Sequence, residues 1–501
     1  MRPRPPIAIA LVLALVLAMV AVAAHGQSAR REPNRARQDM QRWLQRERDA
    51  MQSYLSEQDR EFAAFLRESW RGNTIWPPAR SATPPQAPLG AADGPCGRRP
   101  GAVGQSGGAA ETARAPAAPP APRMPWTPQI PSPPPTADRL AVSFLGLAYA
   151  LPVDRSLGTL PRREPGPAAA AEAWSLLSEG RHEPLLDALS AAAEARQLGD
   201  WGRFKLLEST AAVAYPDDRD RQALLHWYLG LRLGLDLRLA HARAGFAVLY
   251  ATQETVYQVE FLMRDQTAYY IHDPAGRLGR TERLRTYDAQ PPLAVRPLAL
   301  GASPLPLTDP DLTTRALRWT LDGEPREASV VLDRRLVAYL GTLPQTRLVS
   351  QFRADLSPRA LASLGDALAP DLAVRDAFGQ VALLLRFVQT SLAYATDQDQ
   401  FGREDYLYPD EALFYPECDC EDRAALFAVL VRRLVGLEVV GLDYPGHIAA
   451  AVALPGDPPG DRFAWHGRDY TVCDPTFIGA GPGRSMPIAG ADRPSIIDPT
   501  G

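Results

Sequence analysis

Apolar residues recur along this chain with different periods, and each period predicts a different element. Residues 34–71 carry them every eleven positions, at Met40, Met51 and Phe62 and again at Leu44, Leu55 and Leu66. That repeat makes a nearly straight stripe on one long helix, widened by Trp43, Tyr54, Phe65 and Trp70. Residues 140–152 alternate and predict a strand. Residues 167–239 have a mostly helical pattern, and 256–272 predict two strands with a turn at 264–266. Apolar segments 316–321, 328–336 and 348–352, punctuated by Pro and Gly, predict a small β region. Residues 374–392 predict a helix. In 424–435, Leu426, Phe427, Leu430, Val431 and Leu434 recur at helical spacing, and Gly436 supplies the stop. Strands follow around Val439 and Val440, from His447, and up to Asp474.

Two stretches lack these periods. Residues 1–26 join a positive start, Arg2 and Arg4, to an apolar run at 7–24 and the small residues of AVAAHG. This predicts an export signal, with an uncleaved anchor as the alternative. Residues 77–137 are dense in Pro, Ala and Gly, contain Cys96, and predict an extended linker that buries no core. The expected location is therefore exported, periplasmic or secreted. At 501 residues and 46% apolar content the chain is long enough for more than one core. Its formal net charge of −4 leaves no nucleic-acid footprint. The polar face of the 34–71 helix mixes signs, which favours packing or self-association over a membrane surface.

The chemistry gathers near the end. Cys420 stands just ahead of the 424–435 helix, with Glu421 and Asp422 in the first turn, where acidic side chains suit the positive end of the helix dipole. A helix N-terminus and a nearby imidazole lower a thiol's pKa from about 8.5 toward about 3.5–7.5. His447 would take the thiol proton, Asp474 would orient the imidazole, and backbone N–H groups at the helix start would hold an oxyanion. Tyr415 and Glu411 are candidates for a second oxyanion donor. The loop TDQDQFGREDYLYPDEALFYPE, charged and aromatic, leads into the cysteine and predicts one wall of a cleft.

At these residues the chain resembles the transglutaminase-like cysteine hydrolase superfamily. The resemblance rests on D-C-E-D-R-A around Cys420, G-H-I-A-A-A-V around His447 and C-D-P-T around Asp474, and covers roughly residues 371–490. It implies a papain-like core with Cys420 as nucleophile, His447 as base and Asp474 as orienting acid, and no cofactor. The superfamily often carries an aromatic residue after the histidine, where this chain has Ile448, so the substrate class is open.

A second stretch echoes the first. Asp220, Arg221, Ala223, Leu224, Gly234 and Leu235 line up without a gap with Asp422, Arg423, Ala425, Leu426, Gly436 and Leu437. Asp273-Pro274 answers Asp474-Pro475 one residue out of step. This predicts an internal duplication whose first copy lacks the thiol and imidazole, with Asp218 and Gly245 at those positions. Coincidence between two amphipathic helices is the alternative.

Other readings of the same residues stay open. A Cys418–Cys473 disulfide would suit an oxidising compartment and leave Cys420 free. Cys418, Cys420, His447 and Cys473 could instead hold zinc. His447 could be a buried structural histidine, and Asp474 a strand-exit turn residue. His466 reads as a solvated hairpin turn.

The prediction is an α+β chain with a signal at 1–26, a helical segment at 27–76 and a linker at 77–137. A degenerate copy follows at 138–284, a β-rich connection at 285–370 and a catalytic domain at 371–501. The expected activity is cysteine-dependent hydrolysis or transfer at an amide bond of a protein or peptide, in the cell envelope by compartment. A non-catalytic envelope scaffold is the alternative.

Overall fold

The computed structural model describes residues 33–68, 70–79, 138–180, 182–274, 276–278, 283–301, 310–487 and 493–500. The expected export signal, nearly all of the linker and Cys96 lie outside the described residues. Two compact units result, residues 1–61 and 62–501. The first contributes most of a helix spanning Pro33–Leu66, on which Met40, Leu44 and Tyr54 are exposed. Among the described residues no helix is long and apolar enough to cross a membrane.

The second unit mixes helices and sheets. Residues 140–152 form a hairpin rather than one strand, Arg139–Phe144 paired with Leu147–Pro152. Leu145 and Gly146 both take positive φ, 50° and 73°, which is the geometry of a tight two-residue turn. Apolar alternation runs straight through this turn, so the pattern hides it. Helices Pro167–Glu179 and Glu183–Ala195 follow, then α1 (Asp200–Ala214) and α2 (Arg219–Arg232). Next come β1 (Leu237–Ala242), β2 (Gly245–Ala251), β3 (Phe261–Arg264), β4 (Thr267–His272) and β5 (Arg285–Thr286). With the short strand Arg71–Gly72 they form a six-stranded sheet in which β5, β1, β2, β4 and β3 are successive neighbours.

The expected β region is smaller than its pattern predicts. Leu312–Leu321 and Glu324–Asp333 form one hairpin. Its alternate residues Leu317, Trp319, Val330 and Leu332 are buried. Leu336 instead lies in a helix, Arg334–Leu340, and 348–352 falls largely in another, Val349–Arg353. Leu348 and Phe352 are four apart, a spacing that fits a helical face as well as a strand. Helix Pro358–Ala373, which that pattern missed, begins at a Ser357 cap with Ala360 N–H donating to its hydroxyl at 3.4 Å.

The last third builds the site. Helix α3 (Ala377–Ser391) packs on α4 (Cys420–Leu430), every residue of which is buried. A helix apolar on nearly all sides is stable only inside a core. A π-type turn at Val431–Val435 and Gly436 at φ 79° end it. Strands β6 (Val439–Tyr444), β7 (His447–Val452), β8 (Arg462–Trp465), β9 (Arg468–Cys473) and β10 (Ser495–Ile497) then form a sheet in the order β10-β6-β7-β9-β8. The first sheet has the same arrangement, β5-β1-β2-β4-β3, after a helix that also ends on an αL glycine, Gly234 at φ 79°. Separate cores underlie the two, one around Trp174, Trp227 and Tyr287, the other around Phe352, Phe387 and Phe427.

Candidate active site

Cys420 opens α4 and is fully buried. His447 opens β7, paired in register with Tyr444 at the end of β6. Asp474 follows the last residue of β9. The fold brings these three together. His447 Nε2 lies 2.8 Å from Asp474 Oδ2. With Nε2–H donated to the carboxylate, Nδ1 carries the ring's lone pair, and that buried nitrogen has no hydrogen-bond partner. Cys420 and His447 line one small cavity of about 10 Å³, with Tyr406 and Tyr444 beside them. The second Asp474 oxygen accepts from the Thr476 and Phe477 N–H groups at 2.9 and 3.1 Å, so the carboxylate is held on both sides.

Gln389, on α3, completes this support and escaped notice in the sequence. Its amide donates to the carbonyls of Asp474, Phe477 and Ala480 at 2.9–3.0 Å and accepts from Gly479 N–H at 3.2 Å. The signal was a lone glutamine in the apolar run VALLLRFVQT.

The thiol is not in the state expected of it. Its hydrogen points to Glu421 Oε2 at 3.0 Å, and Ile448 N–H donates to Sγ at 3.3 Å. Burial pushes the thiol well above its ordinary pKa, and the nearby Glu421 and Asp419 carboxylates push the same way. Desolvation therefore outweighs the helix N-terminus in this closed arrangement. Tyr415 and Glu411 do not line the cavity.

The other cysteine expectations fail on geometry. Cys418, Cys420 and Cys473 are all free and buried, so no Cys418–Cys473 disulfide forms. Cys418 Sγ faces the Ala393 carbonyl and Cys473 Sγ that of Thr471. The four proposed zinc ligands do not come together. Among the described residues the one cluster with metal-ligand spacing is Asp397, Asp419 and Glu421, with one oxygen of each within 4.8 Å of the others. Both Asp419 oxygens are buried without a hydrogen-bond donor. Burial, then the Asp419 charge, pushes Asp397 up to about 9. Burial, then Asp397, pushes Glu421 up to about 7. Such crowded carboxylates either share protons or hold a hard, oxygen-seeking cation.

In the first sheet the matching positions look different. Ala242 pairs with Gly245 as Tyr444 pairs with His447. A side chain at Gly245 would meet Asp220 Oδ1 at 2.5 Å and Arg277 Nη1 at 2.7 Å. These two form an ion pair at 3.2 Å, and Asp220 Oδ1 accepts Phe246 N–H at 2.9 Å. An ion pair thus fills the space that an imidazole side chain would need. Val248 pairs with His272 and Ala450 with Cys473, which sets Asp273 level with Asp474 and leaves the one-residue offset to the intervening loop. A larger cavity of about 310 Å³ lies beside α1 and α2, lined by Glu208, His226 and His272 among others. His272 Nε2 lies 2.7 Å from Glu208, and burial pushes His226 down to about 3.

Comparison with family models, with curated proteins and with solved structures found no match for the chain.

Proposed function

We propose that this protein is an exported cysteine-dependent amide-bond hydrolase or acyltransferase with a papain-like, transglutaminase-like core. One observation carries the reading: a buried His447–Asp474 pair with Nδ1 left without a hydrogen-bond partner, His447 lining one small cavity with Cys420. Nδ1 takes the thiol proton, and Sγ attacks the carbonyl carbon of the scissile amide. The C–N bond breaks as imidazolium protonates the departing amine. Water then attacks the thioester, releasing a carboxylic acid and restoring the thiol; an amine in place of water gives transfer. Asp474 holds the imidazole in the tautomer that leaves Nδ1 free.

We further infer that the α2–β5 segment is a degenerate copy of the α4–β10 segment. The shared strand order, the αL glycines and the two-residue hairpins support this. The Asp220–Arg277 pair in the place of an imidazole supports a loss of chemistry in the first copy.

The test is alkylation of the folded, unreduced protein with iodoacetamide across pH 5–9, read by peptide mass spectrometry, with His447→Ala alongside. Faster labelling of Cys420 with His447 than without it is expected. A Cys420 indifferent to His447 would leave the second reading, a non-catalytic envelope scaffold. The enclosed thiol, donating to Glu421 rather than to His447, is the observation in that reading's favour.

A further inference from the structure

The cleft around Cys420 carries charge of one sign. Among the described residues Glu404, Glu421 and Asp443 line it, without Arg or Lys, and His447 is its one titratable nitrogen. Glu421 is engaged by the thiol. Glu404 and Asp443 are not engaged. Each is half-buried, and burial raises both carboxyls above the ordinary range. Neither side chain has a hydrogen bond or ion pair among the described residues. They come from different elements, Glu404 from the 401–408 loop and Asp443 from β6, where it pairs in register with Ile448. Behind Glu404 stand Asp397 and Asp419, both buried and both raised further by its charge.

Unpaired carboxylates drawn out of water weaken a fold unless a ligand completes them. Tyr406 and Tyr444 line the same cleft, and aromatic walls suit the apolar stem and charged head of a lysine or arginine side chain. We propose that the cleft selects peptides bearing an ammonium or guanidinium side chain beside the scissile bond, with Glu404 and Asp443 receiving it. This rests on the thiol reading above and names its substrate class. The cavity holds no more than about one water, so the side chain enters as the 401–408 loop lifts.

The full-length protein is treated at pH 7.5 and low salt with two methanethiosulfonates of similar size, one bearing trimethylammonium and one bearing sulfonate. Each forms a mixed disulfide with a thiol and releases methanesulfinate. The rate at Cys420, followed by peptide mass spectrometry, is divided by the rate at free cysteine. The cationic reagent is expected to be favoured by at least about tenfold, equivalent to about 1.4 kcal/mol. The ratio should fall toward one in the Glu404→Gln/Asp443→Asn double variant, and a library of peptides cleaved by the wild type should be enriched in Lys or Arg beside the cut. Both swaps keep side-chain shape and remove no partner, so the melting temperature should hold or rise. Equal normalised rates in the wild type, or a ratio unmoved in the double variant, would overturn the cationic preference and leave the thiol reading standing. A Cys420 that neither reagent modifies in the folded protein, though both modify it in urea, would sink both together.

Discussion

Gly245 and His447 hold the same position in two like hairpins, and their surroundings explain the difference. Gly245 has φ of 140°, and its missing side chain leaves room for the Asp220 carboxylate and the Arg277 guanidinium. Gly245→Ala should therefore destabilise the fold by about 1–3 kcal/mol, the range for overpacking, measured as a lowered urea midpoint at constant slope. No change would mean that the ion pair relaxes freely. His226 makes a second residue-scale case. It is fully enclosed, and burial first, with smaller effects of His272 and Lys205, takes it from 6.5 down to about 3 against the pull of Glu208. Below pH 6.5 the unfolded chain takes up a proton there that the folded chain refuses until about pH 3. Stability is therefore lost as pH falls through that window, by roughly 2–3 kcal/mol at pH 4.5. His226→Phe, which keeps a ring beside Phe204 at the observed 4.3 Å spacing, should remove that part of the acid sensitivity. Parallel unfolding curves at pH 7 and 4.5 for both proteins check this.

At the scale of elements, periodicity made the long helices and the β6–β9 strands legible, because each buries one face or all of itself. It misled where two periods fit the same residues. The Arg139–Pro152 hairpin looked like one strand because Leu145 keeps the alternation at the turn. Leu348 and Phe352 looked like a strand because their spacing of four suits both patterns. Cys420, His447 and Asp474 were legible as a motif, since a cysteine before a helix, then a histidine opening a strand and an aspartate just after one, is a local signal in each case. The thiol's state was not, because it is set first by the complete burial of Cys420, which only the fold creates, with the neighbouring Glu421 and Asp419 adding to it. Gln389 was hidden for the same reason: its four partners lie 85–91 residues away. Gln389→Ala strands two buried carbonyls, and a third carbonyl and one N–H that are partly buried. A loss of about 2–4 kcal/mol is expected, at 1–3 kcal/mol per unsatisfied buried group with partial relief by water. Because these carbonyls anchor the loop carrying Asp474, alkylation of Cys420 should lose its dependence on His447 as well. A variant that is destabilised but retains that dependence would make Gln389 structural only.

On the scale of the whole molecule, the loop over Cys420 is tied to parts of the chain outside the α4–β10 segment. Gln258, in the connection between β2 and β3, donates to the Glu404 carbonyl at 2.6 Å. Gln345 donates to Asp405 at 2.8 Å and accepts Tyr406 N–H at 2.8 Å, while its own carbonyl accepts Tyr257 N–H at 2.8 Å. From below, Asp397 accepts Asp405 N–H at 2.6 Å and Asp422 accepts Leu407 N–H at 2.8 Å. The α2–β5 segment thus holds the loop over Cys420 directly through Gln258 and indirectly through Tyr257 and Gln345. Opening the cover breaks ties on both sides, to Gln258 and Gln345 above and to Asp397 and Asp422 below, without unfolding α4. The two glutamine side chains make three of these bonds, each contributing about 0.5–1.5 kcal/mol net, so Gln258→Ala with Gln345→Ala should raise the opening equilibrium by at least roughly tenfold. Cys420 alkylation in the folded protein should accelerate by a similar factor, with the urea midpoint falling only slightly. Acceleration confined to Cys420, with Cys418 and Cys473 unchanged, would mark local opening of the cover. Equal acceleration of all three buried thiols would mean that the ties stabilise the whole unit and that the thiol is reached by global unfolding.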